Sequence, residues 1–491
     1  MKIVFASAEC APYAKTGGLG DVVGSLPKAL RLLGHEVSII IPNYSHINHE
    51  RFHIHYQHEI GEIPVRVNGK TLAIHVHMAH LPGSDIEVYF IDYPPYYHRG
   101  SIYSNAADED ERFILLNKSV LELIQRMKWN VDIIHCNDWQ TGLIPLYVKD
   151  NYSWDRLFDK TATVMTIHNI AYQGRFSKDS LSKAEIRSDL YYPNSPVEVY
   201  GGQVCFLKAG LIYSDAVNTV SPTYAAETIT SQYGEGLDGV LAYRINDYYG
   251  IINGVDYTIW NPGSDPYLPY HYDQFALEQK YQNKLELLAR VGLPLLDNAP
   301  LIGIVSRLVD QKGFNILIEA MPELLRHNAQ WVILGSGEKR YEDYFRELAS
   351  IAPEKVASHI GYNEDLAHLI EAGSDIFMMP SRFEPCGLNQ IYSLKYGTVP
   401  IVRKTGGLAD TVQDWDELKH YGNEDGTGFS FHDYSATAII KTFERAIGAF
   451  HNKEVWYKIQ CNGMQKDYSW EVSAMQYVDL YKKGLKNRRG G

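Results

Sequence analysis

The sequence predicts an α/β protein built from two doubly wound, parallel-sheet domains facing a central cleft. Three observations carry that prediction. Short, continuous apolar runs alternate with amphipathic helical patterns in two separate stretches, the pattern of strands buried on both faces. A glycine loop recurs nearly unchanged, as Lys15-Thr16-Gly17-Gly18-Leu19-Gly20-Asp21 and as Lys404-Thr405-Gly406-Gly407-Leu408-Ala409-Asp410. Between the two stretches, Gly250 to Tyr257 and then Trp260-Asn261-Pro262-Gly263 form a turn-rich connector.

In chain order, Ile3-Val4-Phe5-Ala6 reads as a strand, followed by the first loop and a helix carrying Val22, Val23, Leu26, Leu30 and Leu33. Gly34 ends that helix, and Glu36 to Pro42 is a buried strand. Further strands are expected at Leu72–Val76, Ile86–Ile91, Val131–His135 and Ala162–His168, with a long helix from Glu109 to Met127. Ser177 to Tyr200 is polar and irregular; the pattern resumes at Gly202–Tyr213 and the strand Ala216–Val220. The second unit begins at Leu301–Val305 and continues through strands at Trp331–Leu334, Asp375–Met379 and Val399–Val402. Trp470, Ala474, Val478, Tyr481 and Leu485 share one helical face. The basic tail Lys486 to Gly491 reads as a frayed end. The expected domains are therefore residues 1–249, 250–468 and a terminal segment 469–491.

Composition narrows the function. The 491 residues carry a formal charge of −13, which argues against nucleic acid and anionic membrane partners, because phosphate recognition needs a clustered basic face. A neutral polymer such as a glucan is compatible. The 36 tyrosines against 16 phenylalanines suit sugar platforms as well as half-buried packing. Five dispersed cysteines without a CxxC pair argue against disulfides or zinc and for a reducing compartment. The chain enters a strand at once, leaving no room for a signal or transit peptide, so a cytoplasmic location is expected.

A glycine loop opening a helix presents backbone N–H groups and the positive end of the helix dipole to an anion. Gly18-Leu19-Gly20-Asp21-Val22-Val23-Gly24 approaches a dinucleotide fingerprint, but the acidic residue expected at the end of the second strand is Asn43. That argues against a dehydrogenase. Arg307 and Lys312, in Ser306-Arg307-Leu308-Val309-Asp310-Gln311-Lys312-Gly313, follow the first strand of the second unit. Two cations there suit a diphosphate leaving group. In Ser381-Arg382-Phe383-Glu384-Pro385-Cys386-Gly387-Leu388, Pro385 is expected at the first helical position with Glu384 at or near the N-cap, rigidly placed to accept from sugar hydroxyls. His135-Cys136-Asn137-Asp138-Trp139 and Thr166-Ile167-His168-Asn169 also end strands and are read as facing the crevice. Asp108-Glu109-Asp110 and Asp414-Trp415-Asp416 match a metal clamp in pattern, but the first lies at a helix start and neither directly follows a strand. Both are read as structural, and no metal is expected.

The Lys15-Thr16-Gly17-Gly18-Leu19, Ser381 to Leu388 and Thr405 to Asp410 segments together resemble the bacterial glycogen synthase and plant starch synthase family. Ile167 to Gly174, Thr219 to Tyr224, Asn253-Gly254-Val255-Asp256 and Trp260-Asn261-Pro262 extend the likeness along almost the whole chain. The resemblance implies a GT-B fold, two Rossmann-like domains with the final helix crossing back to the first. It implies glucosyl transfer from ADP-glucose to the non-reducing 4-hydroxyl of an α-1,4-glucan, with retention, no metal and no cofactor beyond the donor, whose product is ADP. By the same resemblance Arg307 and Lys312 bind the diphosphate; Lys15, Thr405 and Gly406 meet its distal end; Gly17 and Gly18 are substrate-binding; and Tyr362 stacks on adenine. Glu384 and His168 hold the glucosyl hydroxyls, with Cys386, Gly387 and Leu388 beside them. Asp138, Asn169, Asp21 and Asn253 complete the sugar and acceptor side.

Two departures stand out. Gln140 occupies a place commonly histidine in the family, and Tyr392 stands where wider retaining transferases carry a second glutamate eight positions after the first. Glu384 alone argues for a front-face displacement in which the leaving diphosphate takes the acceptor's proton. The rival readings are a UDP-glucose-dependent retaining transferase and a non-catalytic glucan-binding relative. Closure near Gly250–Gly254 is expected to complete the site. Oligomeric state is not legible.

Overall fold

The computed structural model describes residues 1–199 and 201–490. Tyr200, the end of the stretch read as irregular, and Gly491, the end of the tail read as frayed, lie outside the described residues. The chain divides into two compact units: Met1–Gly254 together with the last helix, and Val255–Ser469.

In the first unit the strands are β1 (Lys2–Ala6), β2 (Glu36–Pro42), β3 (His55–Tyr56), β4 (Ile63–Val67), β5 (Lys70–His80), β6 (Glu87–Asp92), β7 (Ile133–Asn137) and β8 (Ala162–Ile167). Three short strands follow, β9 (Arg175–Phe176), β10 (Glu198–Val199) and β11 (Gln203–Cys205), which pair only with one another. The last two are β12 (Ala216–Thr219) and β13 (Tyr248–Gly250). Helices α1 (Gly18–Leu32), α2 (Glu109–Arg126) and α3 (Phe206–Tyr213) lie between them. The sheet order is β13-β12-β8-β7-β1-β2-β6-β5-β3, with β4 on β5. Seven strands from β13 to β6 are parallel, as expected. The edge made by β3, β4 and β5 is antiparallel, a departure from the all-parallel reading. β4 alternates buried and exposed residues, and β5 alternates buried and half-buried ones from Leu72 to His77, the mark of a sheet with one wet face.

The second unit carries helix α4 (Glu278–Val291) and then β14 (Leu301–Val305), α5 (Phe314–Leu324), β15 (Gln330–Gly335), α6 (Lys339–Ile351), β16 (Val356–Ile360) and α7 (Glu364–Gly373). It continues with β17 (Ile376–Met379), α8 (Asn389–Lys395), β18 (Val399–Arg403), α9 (Gly406–Thr411), β19 (Phe429–Phe431), α10 (Ala436–His451) and α11 (Lys453–Met464). Its six strands are all parallel, in the order β16-β15-β14-β17-β18-β19. Ile302, Ile304, Trp331, Ile333, Ile376 and Met378 bury one face with α5 and α10. Leu301, Val332, Leu334, Phe377 and Met379 bury the other with α4 and α7. Period-two side chains facing helices on both sides account for the uninterrupted apolar runs.

In each sheet the strand order reverses beside the first strand: between β1 and β7, and between β14 and β17. Crevices for ligands open at such points. The loops after these four strands carry most of the candidate residues.

The final helix, α12 (Trp470–Gly490), belongs to the first unit and packs on β8, β12 and α1. Its attachment is polar as well as apolar. His135 bonds Tyr481 Oη at 2.8 Å and Thr166 Oγ1 at 2.6 Å; Thr166 donates to Asn218 at 2.6 Å, and Asn218 donates to Tyr477 at 3.3 Å. The tail is helical through Gly490, contrary to the expected fraying, because Asn487 donates to the Asp215 carbonyl and Arg488 to that of Phe158. The unit boundaries fall at Gly254/Val255 and Ser469/Trp470, a few residues beyond the expected ones. Gly250 ends β13, and a Cβ at Gly254 would lie 2.5 Å from Trp470 Cα, so these residues are packed into the first unit.

Candidate active site

In the first unit the loop between β1 and α1 carries Lys15, whose ammonium pairs with Asp21 at 2.6 Å. Burial raises the Asp21 carboxyl, Lys15 opposes that rise and Glu9 adds to it. Gly17 is extended, and a Cβ at Gly17 or Gly18 would meet nothing within 4 Å. Both glycines are exposed. No packing demand makes them glycine; the space beside them is open.

The next strand at the reversal, β7, ends in Asn137 and Asp138. Asp138 adopts φ 54°, a backbone conformation unusual for a non-glycine residue. Its carboxylate accepts from the His168 N–H at 2.7 Å. Burial pushes this carboxyl up to about 7, against the pull of the His168 and Asn169 N–H groups, and Glu9 adds to the rise. His168 bonds Asn137 Oδ1 at 2.9 Å, and burial pushes its imidazole down to about 3, so the ring is neutral. Asn169 turns its own chain by accepting from the Ala171 N–H. Asn253 is buried, and its side-chain oxygen has no partner among the described residues. His135, expected to face the crevice, instead lies wholly buried under α12. Position matters here: His135 is in mid-strand, whereas His168 follows the last residue of β8.

In the second unit Arg307 and Lys312 lie on the loop after β14. Arg307 is exposed, and its guanidinium has no ion pair among the described residues. Lys312 lies 2.6 Å from Glu384, on the loop after β17, and Ser381 Oγ donates to the same carboxylate oxygen at 3.0 Å. The two loops are tied by the Arg382 N–H donating to the Gln311 carbonyl at 2.8 Å. Gly313 (φ 79°) allows their close approach, since a Cβ there would overlap the Pro380 carbonyl.

Glu384 is not an N-cap. The helix starts at Asn389 after Leu388, so Pro385 is four residues before the first helical residue. What holds Glu384–Cys386 is the second glycine loop. The Gly407 N–H donates to the Glu384 carbonyl at 3.1 Å, and a Cβ at Gly406 or Gly407 would overlap the carbonyls of Glu384 and Cys386. Thr405 and Cys386 are buried. Gly387 is left-handed at φ 72°, with the Gln390 amide donating to the Cys386 and Gly387 carbonyls. Lys404, read as the counterpart of Lys15, pairs instead with Glu417 at 2.6 Å. Tyr362 follows β16 and is 79% exposed. Tyr392 stacks on Trp260 at 3.8 Å, so the place of a second glutamate is given to packing. Both Asp-x-Asp segments are engaged: Asp110 with Lys183 and Ser180, and Asp414 as an N-cap paired with Arg445. Asn43, where a dehydrogenase needs an acid, donates to Asp92 at 2.9 Å.

Glu9 and Tyr103 lie outside every motif read from the sequence, whereas Asn137 and Ser381 stand inside two of those motifs without a role of their own. Glu9 carried a signal, as the first carboxylate after an apolar strand. Tyr103 and Asn137 are common polar residues whose partners Glu9 and His168 come from distant segments, and Ser381 is a common serine that acts within its own loop.

Two Rossmann-like units, one carrying Arg307 and the Lys312–Glu384 ion pair on its strand-end loops, define a glycosyltransferase of the GT-B class. Residues 2–243 match the starch synthase catalytic domain family, and residues 289–450 match group 1 glycosyl transferases. The chain is 43% identical over 488 residues to a glycogen synthase of Thermotoga maritima, covering 99% of each. It is 43% identical to a glycogen synthase of Desulforudis audaxviator, covering 99% of this chain and 97% of that one. The catalytic domain of Arabidopsis thaliana starch synthase IV, solved with ADP and acarbose, superposes with TM-score 0.91 at 34% identity over 99% of both chains. A sucrose-phosphate synthase of Thermosynechococcus elongatus, at TM-score 0.60 and 16% identity over 98% of both chains, shares the fold. The chain belongs to the glycogen synthase and starch synthase family. Among the described residues no helix is long and apolar enough to cross a membrane.

Proposed function

We propose that the protein transfers glucose from ADP-glucose to the non-reducing 4-hydroxyl of an α-1,4-glucan with retention of configuration, in the cytoplasm and without a metal. The observation that carries this reading is the arrangement on the β14 and β17 loops: Arg307 exposed and without an ion pair among the described residues, and Lys312 2.6 Å from Glu384. A cation pair stabilises a diphosphate as its charge develops, and the neighbouring carboxylate accepts from glucosyl hydroxyls. The ADP seen in the starch synthase IV relative supports the adenine donor. A single carboxylate here, with Tyr392 committed to a stack, supports front-face displacement. The glucosyl C1–O bond to the diphosphate breaks, the acceptor oxygen bonds C1 on the same face, and the acceptor proton passes to the leaving phosphate oxygen. Neutral His168 and Asp138 hold the sugar side, and Lys15, Asp21, Asn169 and Asn253 add contacts in the first unit.

Incubation with labelled ADP-glucose or UDP-glucose, with and without glycogen and in the presence of a chelator, tests the reading. Incorporation from ADP-glucose into α-1,4-linked product is expected. Incorporation from UDP-glucose alone overturns the donor, and loss with chelator overturns metal independence. Incorporation from neither overturns the enzyme reading.

A further inference from the structure

Glu9 is 2% exposed, and the four donors to its carboxylate among the described residues are all neutral. The Thr16 N–H donates at 2.7 Å, the Gly17 N–H at 3.3 Å, the Thr16 hydroxyl at 2.7 Å and the Tyr103 hydroxyl at 2.5 Å. A buried carboxylate is costly unless every lone pair is met, and here donors from two separate segments converge on it. Two successive backbone N–H groups aimed at one anion form the kind of concavity that elsewhere cradles phosphate. In this loop an internal carboxylate already fills it.

We propose that Glu9 is a positioning residue for the donor: as an internal anion it occupies the amides of Thr16 and Gly17, and so fixes where Lys15 and Gly18 stand. The inference rests on the reading that Lys15 meets the donor. It explains how a loop without its own packing at Gly17 and Gly18 keeps one shape. It also removes two amides from phosphate binding, leaving the Lys15 ammonium and the Gly18 N–H at the first helical position, which has no intrahelical acceptor.

Glu9→Gln and Glu9→Ala in the full chain test it. Glutamine keeps a carbonyl for the two amides, and its NH₂ donates to the hydroxyls of Thr16 and Tyr103, which can accept. Alanine leaves the amides without a partner. Hydrogen exchange at Thr16 and Gly17 is expected to quicken at least ~10-fold in Glu9→Ala and to stay within ~3-fold of wild type in Glu9→Gln. The donor KM is expected to rise at least ~10-fold in Glu9→Ala with the glucan KM within ~3-fold, and Glu9→Gln to restore most of that loss. Unchanged exchange in Glu9→Ala, equal rises in both KM values, or failure of glutamine to rescue overturns the proposal. Should Glu9→Ala not fold, Tyr103→Phe removes one donor without a cavity; a donor-selective KM rise is then expected, and no rise overturns the proposal. If exchange responds as expected but the wild type uses no ADP-glucose, the donor reading fails and the loop assignment stands.

Discussion

Gly18 and Gly407 hold the same place in the repeated loop, yet the structure gives them opposite reasons to be glycine. A Cβ at Gly18, the first residue of α1, meets nothing within 4 Å. A Cβ at Gly407 would overlap the Cys386 carbonyl oxygen and lie 2.5 Å from Cys386 Cα, in a segment whose neighbour Glu384 is held by Lys312. Gly18→Ala should therefore leave the fold intact or stabilise it by up to ~1 kcal/mol, through lost freedom of the unfolded chain. Gly407→Ala forces backbone apart and should cost ~1–3 kcal/mol or more, lowering Tm by ~2–4 °C per kcal/mol in a unit of this size. Kinetics should invert the order of cause: Gly18→Ala fills the open side of the loop and lowers kcat/KM for the donor at least ~10-fold, about 1.4 kcal/mol, in a fully folded protein. Thermal unfolding and steady-state kinetics on the two variants suffice. A Gly407→Ala protein with unchanged Tm, or a Gly18→Ala protein with unchanged donor kinetics, refutes the reasoning.

Lys312→Ala should lower turnover with ADP-glucose by roughly a hundred-fold, about 3 kcal/mol of barrier; unchanged turnover removes the diphosphate assignment. Asp138, raised to about 7 by burial, should give kcat/KM an acid limb near pH 7 that Asp138→Asn abolishes. Because its folded value lies above the usual carboxylate range, its contribution to stability is full below ~pH 4 and is lost as pH rises through about 7; chemical denaturation across pH should lose that slope in Asp138→Asn. His168, pushed down to about 3, should show no imidazole titration between pH 5 and 8 by NMR. Tyr481→Phe breaks the bond to His135 and should cost ~1 kcal/mol with kcat unchanged; an unaltered Tm would sink the role given to that contact.

Most strands of both sheets were legible because a buried parallel strand is apolar without interruption, as in Leu301–Val305. The antiparallel edge was not, since β4 is five residues long and its pairing depends on β5 arriving from the other direction. Among candidate site residues, Arg307, Lys312, Glu384, Asp138 and His168 were legible as candidates because they lie on loops that follow strands and stand in recognisable motifs. Glu9 was missed because a single carboxylate says nothing of the Thr16 and Tyr103 groups that converge on it, and His135 was misplaced because α12 covers it from far along the chain.

By itself the sequence determined the class of fold and the family, since hydrophobic period and motif order are properties of neighbours along the chain. It also showed that one loop occurs twice. Only the tertiary structure decided what each copy is for. The second loop is glycine because Glu384–Cys386 presses against it, and its lysine turns to Glu417. The first is glycine against open space, with its lysine on Asp21 and its amides on Glu9. What surrounds a loop is set by segments distant in sequence, so two nearly identical segments acquire different physical roles.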